Sequence, residues 1–374
     1  MNLCVPGSAR WLLFAVVSLA VGACAVSAPA LAPSTTPAAV PVAGAPAAST
    51  DALASRGVLL VGNKAADTVW RIDLANGTRL EEIPSGVGPH EIAVSPDGAV
   101  AVVTDYGREP PGASLTVLDL AGDAAPRRID LGRNARPHGL RWLPDGRRVV
   151  VTAEDSDSLV MVDVAAGRVE RAIDVGPGKA HMVALNADGR TAYVSKVGAG
   201  TIRRIDLAST APAVPARDVA AGAGAEGIAV APDGSVWVTN REDGTVTVHG
   251  PDTLDLRATL PSPGFPIRIV FTPDGRHALV SNARAGTLAV FGAARRTSVA
   301  TVDIAPEGVE PRDTMLGRAA LPIGIAVHPD GGRAYVAVSG SNRTAVVDTA
   351  TWTVVDHWAT GREPDALAIV PVLD

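Results

Sequence analysis

Three histidines occupy equivalent places in three similar stretches of the sequence. They are His90 in GPHEIAVSPDG, His138 in RPHGLRWLPDG and His181 in KAHMVALNADG, and the next such stretch, GAEGIAVAPDG, has Glu226 at that place. Imidazole and carboxylate groups are ligands for Zn²⁺, Cu²⁺ and Fe²⁺, and imidazole also exchanges protons near neutral pH. If the fold brings them together, these residues indicate a metal site or an acid–base or anion-binding site. Otherwise they are histidines bonded to backbone or water.

The stretches belong to an internal repeat, which decides the fold. An x-x-Asp-Gly turn recurs roughly every 40–55 residues, and four runs rich in Val, Ile and Thr accompany each turn. Its aspartates are Asp97, Asp145, Asp188, Asp233, Asp274 and Asp330. Pro-Asp-Gly is a turn signal, so we interpret these aspartates as hairpin residues without a catalytic role. Four strands per repeat are typical of a propeller blade.

The two ends of the repeat region complete one further blade. VLLVGN (58–63) and TVWRIDL (68–74) match second and third strands, whereas PDALAIV (364–370) matches a first strand. Joining them closes the ring and removes exposed sheet edges. The sequence therefore predicts an all-β, seven-bladed β-propeller with four antiparallel strands per blade, closed by pairing of N- and C-terminal strands.

The amino-acid sequences of the repeats also resemble those of a known family. IAVSPDG, AVVTD and AYVSK followed by GTIRRIDL resemble the YVTN-type, YncE-like seven-bladed propellers over about residues 56–374. The resemblance implies the fold, and it implies little about function, because members include surface and periplasmic proteins of unknown role and cousins include lactonases. GIAVAPDGSVWVTNREDG (227–244) also resembles the streptogramin lyase branch, whose His and Glu metal constellation has no residue-by-residue match here.

Counting seven residues back from each repeat aspartate predicts a ring at one mouth of the central channel, where the first strand of each blade begins. Its members are His90, His138, His181, Glu226, Ile267, Ile323 and, from the closing blade, Asp365. The ring is polar on one side and apolar on the other. If the ring binds a metal, the predicted ligands are His90, His138, His181 and Glu226, with a divalent transition metal as the cofactor.

Loops between second and third strands lie on the same face as this ring. Arg241, Arg284 and Arg343 come from loops of consecutive blades beside its apolar side, where together they could hold a carboxylate or phosphate. The long insertion DIAPEGVEPRDTMLGRAALP (303–322) leads directly into Ile323. We therefore expect it to cover part of the mouth, with Arg312, Asp313 and Arg318 reaching towards the channel.

The N-terminal region reads as an export signal and a tether. Arg10 precedes the apolar run WLLFAVVSLAVGA (11–23), which is short for a transmembrane helix and ends at Cys24. VGAC (21–24) resembles a bacterial lipoprotein box, which implies lipidation of Cys24; the alternative is cleavage after Ala30-Leu31-Ala32. We predict a signal peptide at 1–24, a flexible Ala/Pro-rich tether at 25–54 and the propeller at 55–374.

Composition narrows the function classes. A net charge of −6 and 3% aromatic residues predict no nucleic-acid partner. The propeller region has no cysteine and no Gly-x-Ser-x-Gly motif, which favours a monomeric binding scaffold for a protein or small molecule at the periplasm or cell surface. Membrane contact is expected only through the lipid anchor. The alternative is a metal-dependent lactonase or lyase that uses the histidine and glutamate cluster, so enzymatic activity is left open.

Overall fold

A computed structural model describes residues 56–209, 217–314 and 316–370 of the chain. The predicted signal peptide, the tether and Cys24 lie outside these residues. Apart from one 3-10 turn at Ser339–Ser341, the regular structure of the described residues is β-strand. Among them, no helix is both long enough and apolar enough to span a bilayer.

The strands form seven four-stranded antiparallel sheets, which confirms the predicted propeller, and the short strands Asp313–Thr314 and Gly317–Arg318 pair in a separate two-stranded sheet. In chain order the first fifteen strands are β1 (Val58–Asn63), β2 (Thr68–Asp73), β3 (Arg79–Pro84), β4 (Pro89–Val94), β5 (Val100–Gly107), β6 (Pro111–Asp119), β7 (Arg127–Asp130), β8 (Pro137–Trp142), β9 (Arg148–Ala153), β10 (Ser158–Asp163), β11 (Arg168–Asp174), β12 (Ala180–Leu185), β13 (Thr191–Lys196), β14 (Thr201–Asp206) and β15 (Val219–Ala220). The remainder are β16 (Ala225–Val230), β17 (Val236–Asn240), β18 (Thr245–His249), β19 (Leu256–Pro261), β20 (Pro266–Phe271), β21 (His277–Asn282), β22 (Thr287–Gly292), β23 (Thr297–Asp303), β24 (Asp313–Thr314), β25 (Gly317–Arg318), β26 (Pro322–Val327), β27 (Arg333–Val338), β28 (Arg343–Asp348), β29 (Thr353–Ala359) and β30 (Pro364–Val370).

Blade 1 closes the ring as predicted. Its strand order is β3-β2-β1-β30, so the chain's first and last described strands lie side by side. Leu59 pairs with Ile369 and Val61 with Leu367 in an antiparallel register. Blades 2 to 6 then take four consecutive strands each, β4–β7 through β20–β23, and blade 7 takes β26–β29.

The core lies between adjacent blades rather than at one centre. Val102 and Leu115 of blade 2 pack in one cluster with Leu140 and Val151 of blade 3, and all four are fully buried. β-branched side chains suit this arrangement, since they pack well on a pleated surface. Each buried Val or Leu contributes roughly 1.5–3 kcal/mol, and equivalent clusters recur around the ring.

The repeat aspartates are turn residues at the hairpins between first and second strands. Each carboxylate accepts a hydrogen bond from the backbone N–H two residues later, as in Asp145 to Arg147 at 2.9 Å and Asp188 to Arg190 at 2.8 Å. The same bond is present at Asp97, Asp233, Asp274 and Asp330. The glycine that follows has a positive φ, for example 64° at Gly146, a conformation that glycine adopts without strain.

Candidate ligand site at the channel mouth

Every inner strand begins with the same backbone geometry. The residue two before each ring position is left-handed, with φ between 51° and 71°. These residues are Gly88, Arg136, Lys179, Gly224, Phe265, Leu321 and Glu363. The left-handed conformation costs a non-glycine residue roughly 1–2 kcal/mol. Because it recurs in all seven blades, it is a property of the fold that fixes where each inner strand enters the channel.

In blades 3 to 6, a hydroxyl group then ties the inner strand to that of the next blade. In blade 3, Thr152 Oγ1 accepts a hydrogen bond from Gly139 N at 2.8 Å and donates one to the His181 carbonyl of blade 4 at 2.6 Å. Ser195, Thr239 and Ser281 do the same for Glu226, Ile267 and Ile323. The backbone of the ring residues is therefore held from blade to blade, which orients their side chains.

The ring surrounds one cavity of about 160 Å³. All seven ring residues line it, and each is no more than 8% exposed. The lining also includes Lys64, Tyr106, Arg241, Arg268, Thr314, Leu316, Leu321, Ser339 and Glu363. One wall is polar, and Ile267, Ile323 and their apolar neighbours form the other. The cavity therefore has two chemically different walls.

His181 is bridged by two buried carboxylates. Its Nδ1 lies 2.5 Å from Glu154 Oε1 and its Nε2 lies 2.6 Å from Glu226 Oε1. Burial alone would lower the pKa of His181, but the charges and hydrogen bonds of Glu226 and Glu154 outweigh it and raise the pKa to about 9. In the absence of another ligand, the imidazole therefore carries a proton on both nitrogens at neutral pH.

His138 lies between the other two histidines and has no comparable partner. Its ring centroid is 3.8 Å from that of His181 and 4.0 Å from that of His90. Nδ1 is buried without a hydrogen-bond partner among the described residues, and Nε2 lies 3.9 Å from Glu154 Oε1. Burial, together with the neighbouring His181 and His90, holds the pKa of His138 well below its usual range, so the ring is neutral.

His90 belongs to a separate ion cluster. Its Nδ1 lies 2.8 Å from Asp365 Oδ2, and Lys64 Nζ lies 3.1 Å from the same oxygen. Burial would raise the pKa of Asp365, but His90 and Lys64 outweigh it and lower the pKa below its usual range. The Lys64 ammonium also lies within 3.4 Å of both His90 ring nitrogens. His90 is therefore held by blade 1 rather than by the other histidines.

Arginines hold Glu226 and close the channel beneath it. Arg241 Nη1 donates to Glu226 Oε2 at 2.8 Å, and Arg268 Nη1 lies 3.4 Å from Glu226 Oε1. Burial opposes ionisation, but the positive charges of His181, Arg241 and Arg268 lower the pKa of Glu226 to about 2. Arg268 also reaches across the channel to Glu91, with its Nη2 2.6 Å from Glu91 Oε1. This ion pair forms a floor under the cavity.

The other predicted residues differ in whether they line this cavity. Arg241 lines it, whereas Arg284 and Arg343 do not. Arg284 is exposed, and its guanidinium lies 3.9 Å from the centroid of the Phe265 ring. In the insertion, Thr314 and Leu316 line the cavity, but Arg312 and Asp313 are exposed and absent from its walls, as is Arg318. Apolar contact with Ile267 and Ile323 explains why the insertion turns Leu316 inward.

Sequence reasoning missed Tyr106, Arg268 and the part played by Glu154. Tyr106 donates to Glu154 Oε2 at 2.8 Å across two blades. Arg268 follows a ring position directly, and the β-bulge between Pro266 and Arg268 breaks the two-residue alternation there. The inner strands begin with Ala or Pro, and a β-bulge follows the first residue. Allowing for this bulge in the sequence would have placed Arg268 in the channel. No local pattern indicates the Tyr106–Glu154 contact.

Three of these residues have the arrangement of a metal-ligand set. One ligand atom from each of His138, Glu154 and His181 lies within 4.8 Å of the others, and all three residues are buried. Among the described residues this is the one such group, and it contains two of the four predicted ligands. His90 and Glu226 are outside it and contact its members at its edges.

Comparisons with known proteins agree with the architecture. The sequence matches the family described as YNCE-like beta-propeller over residues 14–148 and 142–315. Kuenenia stuttgartiensis hydrazine synthase is similar in structure, with 20% identity, a TM-score of 0.65 and coverage of 79% of this chain and 93% of that chain. A functionally unknown protein from Desulfotomaculum acetoxidans has 16% identity, a TM-score of 0.69 and coverage of 84% and 99%.

A third similar structure is a proposed 6-phosphogluconolactonase from Bacteroides fragilis, with 18% identity, a TM-score of 0.67 and coverage of 88% of this chain and 100% of that chain. At these identities the likeness concerns the fold alone, since one fold hosts many activities. A comparison with curated protein sequences finds no match.

Proposed function

The chain belongs to the YNCE-like beta-propeller family, and we propose that it is an exported, monomeric binding protein that takes a small organic acid at its channel mouth. The observation that carries the proposal is the placement of charge around the cavity. The Lys64 and Arg241 side chains are 17% and 28% exposed, whereas their carboxylate partners Asp365 and Glu226 are 3% and 5% exposed. An entering ligand therefore meets cations before it meets those carboxylates.

Arg241 retains donor capacity for a ligand. Its Nη1 donates to Glu226 and its Nε faces Glu242 Oε1 at 3.5 Å, which leaves Nη2 for a ligand. A guanidinium has five N–H donors, and a carboxylate takes two of them side by side. Glu363, half-buried, is the remaining carboxylate of the lining and opposes a second negative charge on the ligand. A monocarboxylate fits this balance.

The apolar wall selects the rest of the ligand. Ile267 and Ile323 face the cavity with Leu316 and Leu321, and all four lie in one apolar cluster with Phe265. A ligand that is polar throughout would leave this surface without favourable contact, because apolar burial contributes roughly 25 cal/mol per Å². The volume of about 160 Å³ restricts the body to a short aliphatic or small cyclic group.

Binding is tested by titration calorimetry with matched probes. Short aliphatic carboxylic acids, the corresponding primary amides and the corresponding amines are compared on the purified protein at low salt. We expect the acids to bind, and Arg241→Gln to weaken them about 10-fold or more through loss of a charge-assisted hydrogen bond. Arg343→Gln is the control, because Arg343 does not line the cavity. Equal binding of amides, or unchanged affinity in Arg241→Gln, would reject the proposal.

Export and anchoring are part of the same proposal. The apolar run at 11–23 and the VGAC stretch ending at Cys24 support a lipid anchor outside the cytoplasm. Cys24→Ala should shift the protein from the membrane fraction to the soluble fraction of a bacterial host, with intact-mass analysis following the acyl groups. Membrane association that persists unchanged in Cys24→Ala would contradict the anchor.

A further inference from the structure

His138 is a buried histidine, and its Nδ1 atom has no hydrogen-bond partner among the described residues. The residue is 1% exposed, and its other nitrogen, Nε2, lies 3.9 Å from Glu154 Oε1. Leaving a buried polar group unpaired costs roughly 1–3 kcal/mol. The His138 ring, which lies beside the Glu154 carboxylate and the His181 ring, therefore lacks the bonded partner that a buried polar group normally has.

His181 and Glu154 also indicate a bound cation. Glu226 lies 2.6 Å from His181 Nε2 and accepts the N–H there, and Nδ1 faces Glu154 Oε1 at 2.5 Å. Without a proton on Nδ1, these last two atoms would both be acceptors. Two acceptors cannot meet at that distance unless a cation lies between or beside them. The cation is either a proton on Nδ1 or a metal ion bound to both atoms.

The surroundings have the organisation of a second coordination sphere. Metal-bound histidines usually donate their other N–H to a carboxylate, and metal-bound carboxylates are themselves hydrogen-bonded. Glu226 provides the first contact, and the Tyr106 hydroxyl provides the second by donating to Glu154 Oε2 at 2.8 Å. Thr152 bonds the His181 carbonyl at 2.6 Å and fixes that residue's backbone.

We propose that His138, Glu154 and His181 bind one divalent transition metal ion, with Glu226 as a positioning residue. Two nitrogens and one carboxylate oxygen suit Zn²⁺, Co²⁺ or Fe²⁺ and disfavour Mg²⁺ and Ca²⁺, which prefer oxygen. On binding, the Nδ1 proton of His181 leaves to solvent and the metal takes its place. Typical metal–ligand distances of about 2.1 Å require His181 and Glu154 to separate slightly.

Compared with the set predicted from the sequence, this ligand set leaves out His90 and Glu226 and adds Glu154. His90 bonds Asp365 through Nδ1 at 2.8 Å and lies against the Lys64 ammonium, which repels a second cation. Glu226 changes from a ligand to the partner of His181 Nε2. The inference deepens the proposed function by placing a metal in the polar wall of the organic-acid cavity, which His138 and His181 line, and neither site needs the other to exist.

The test uses the full-length protein purified without chelator, dialysed free of metal and titrated with Zn²⁺ and with Co²⁺. We expect one equivalent to bind, and the visible spectrum of Co²⁺ to show mixed nitrogen and oxygen ligation. Glu154→Gln and His138→Ala should abolish binding, whereas His90→Ala should retain it. Glu226→Gln should weaken binding about 10- to 100-fold and alter the Co²⁺ spectrum, as loss of an outer-sphere partner does.

Several results would overturn the proposal. They are absence of metal binding, binding that survives in Glu154→Gln, and loss in His90→Ala as large as in His138→Ala. Circular dichroism of each variant separates lost ligation from lost fold. Organic-acid binding is measured on the metal-free protein as well, so that failure of the metal site and failure of the proposed function remain distinguishable.

Discussion

The two ends of the inner strands repeat a residue type for different reasons. At the hairpin end, each repeat aspartate bonds an N–H two residues away and completes its own turn. At the mouth, His181 bonds carboxylates 27 and 45 residues away, and His138 bonds none among the described residues. A repeated residue whose hydrogen bonds are made within its own turn serves the fold. A repeated residue whose hydrogen-bond partners are distant in sequence, or that has none, indicates a binding site.

The largest loss of stability is expected on removal of Arg268, whose ion pairs form the floor of the mouth. Arg268→Ala leaves Glu91 and Glu226 with a lost partner in a buried floor, which should lower the free energy of unfolding by about 3–5 kcal/mol. Urea denaturation measures it. The double variant Arg268→Met with Glu91→Gln should recover part of the loss. A change below 1 kcal/mol in Arg268→Ala would mean that the floor is hydrated and weakly coupled.

A gain in stability is expected at the unsatisfied histidine. His138→Leu replaces a buried, unpaired imidazole by an apolar group of similar size, so the metal-free protein should be about 1–2 kcal/mol more stable. The measurement is denaturation in the presence of chelator. Destabilisation instead would show that the ring makes a polar bond in solution and would remove the contrast with the hairpin end.

The hairpin end should respond weakly and with a defined pH dependence. Hydrogen bonds from Thr272 and from the Arg276 backbone lower the pKa of Asp274 from 3.8 to about 2. The carboxylate therefore stabilises the fold fully above pH 3.8, and this contribution is lost as pH falls towards 2. We expect Asp274→Ala to cost about 0.5 kcal/mol at pH 7 after solvent screening, and less at acid pH. A pH-independent difference would contradict this assignment.

The smallest effect tests the backbone of the mouth. Lys179 is exposed and has a φ of 62°, so Lys179→Gly relieves strain without removing packing. Because glycine also gains freedom in the unfolded chain, the expected stabilisation is only a few tenths of a kcal/mol. Glu170→Gly, in the exposed strand β11, is the control and should destabilise by roughly 0.5–1 kcal/mol. Equal effects at the two positions would show that the left-handed start is unstrained.

The fold was predictable because its signals are local and repeat. Alternating apolar runs and Pro-Asp-Gly turns gave the blade, and the unmatched strands at 58–74 and 364–370 gave the closure. The same register placed His90, His138 and His181 at one level, where they line one cavity. Their binding role stays a prediction, since geometry does not identify an occupant.

The contacts at the mouth were less predictable, because they depend on side-chain directions that the period of the repeat does not determine. The β-bulge beside Arg268 turns this residue into the channel next to a ring position, where strict alternation would place it elsewhere. Tyr106 lies in β5 and Glu154 directly follows β9, and the two residues are 48 positions apart in the sequence. Of the three predicted arginines, Arg241 follows β17 by one residue, Arg284 follows β21 by two, and Arg343 is the first residue of β28, so they do not share one position. Of these three, Arg241 alone lines the cavity.

The pairing of β1 with β30 has a consequence for the order of events during synthesis. β30 carries Asp365, the carboxylate that holds His90 and Lys64, and it pairs with a strand made near the beginning of the propeller. Contacts this distant in sequence form late, because a long loop must close first. A nascent chain can therefore assemble six blades and still lack one wall of its mouth. The ability to bind ligand would then mark a finished molecule.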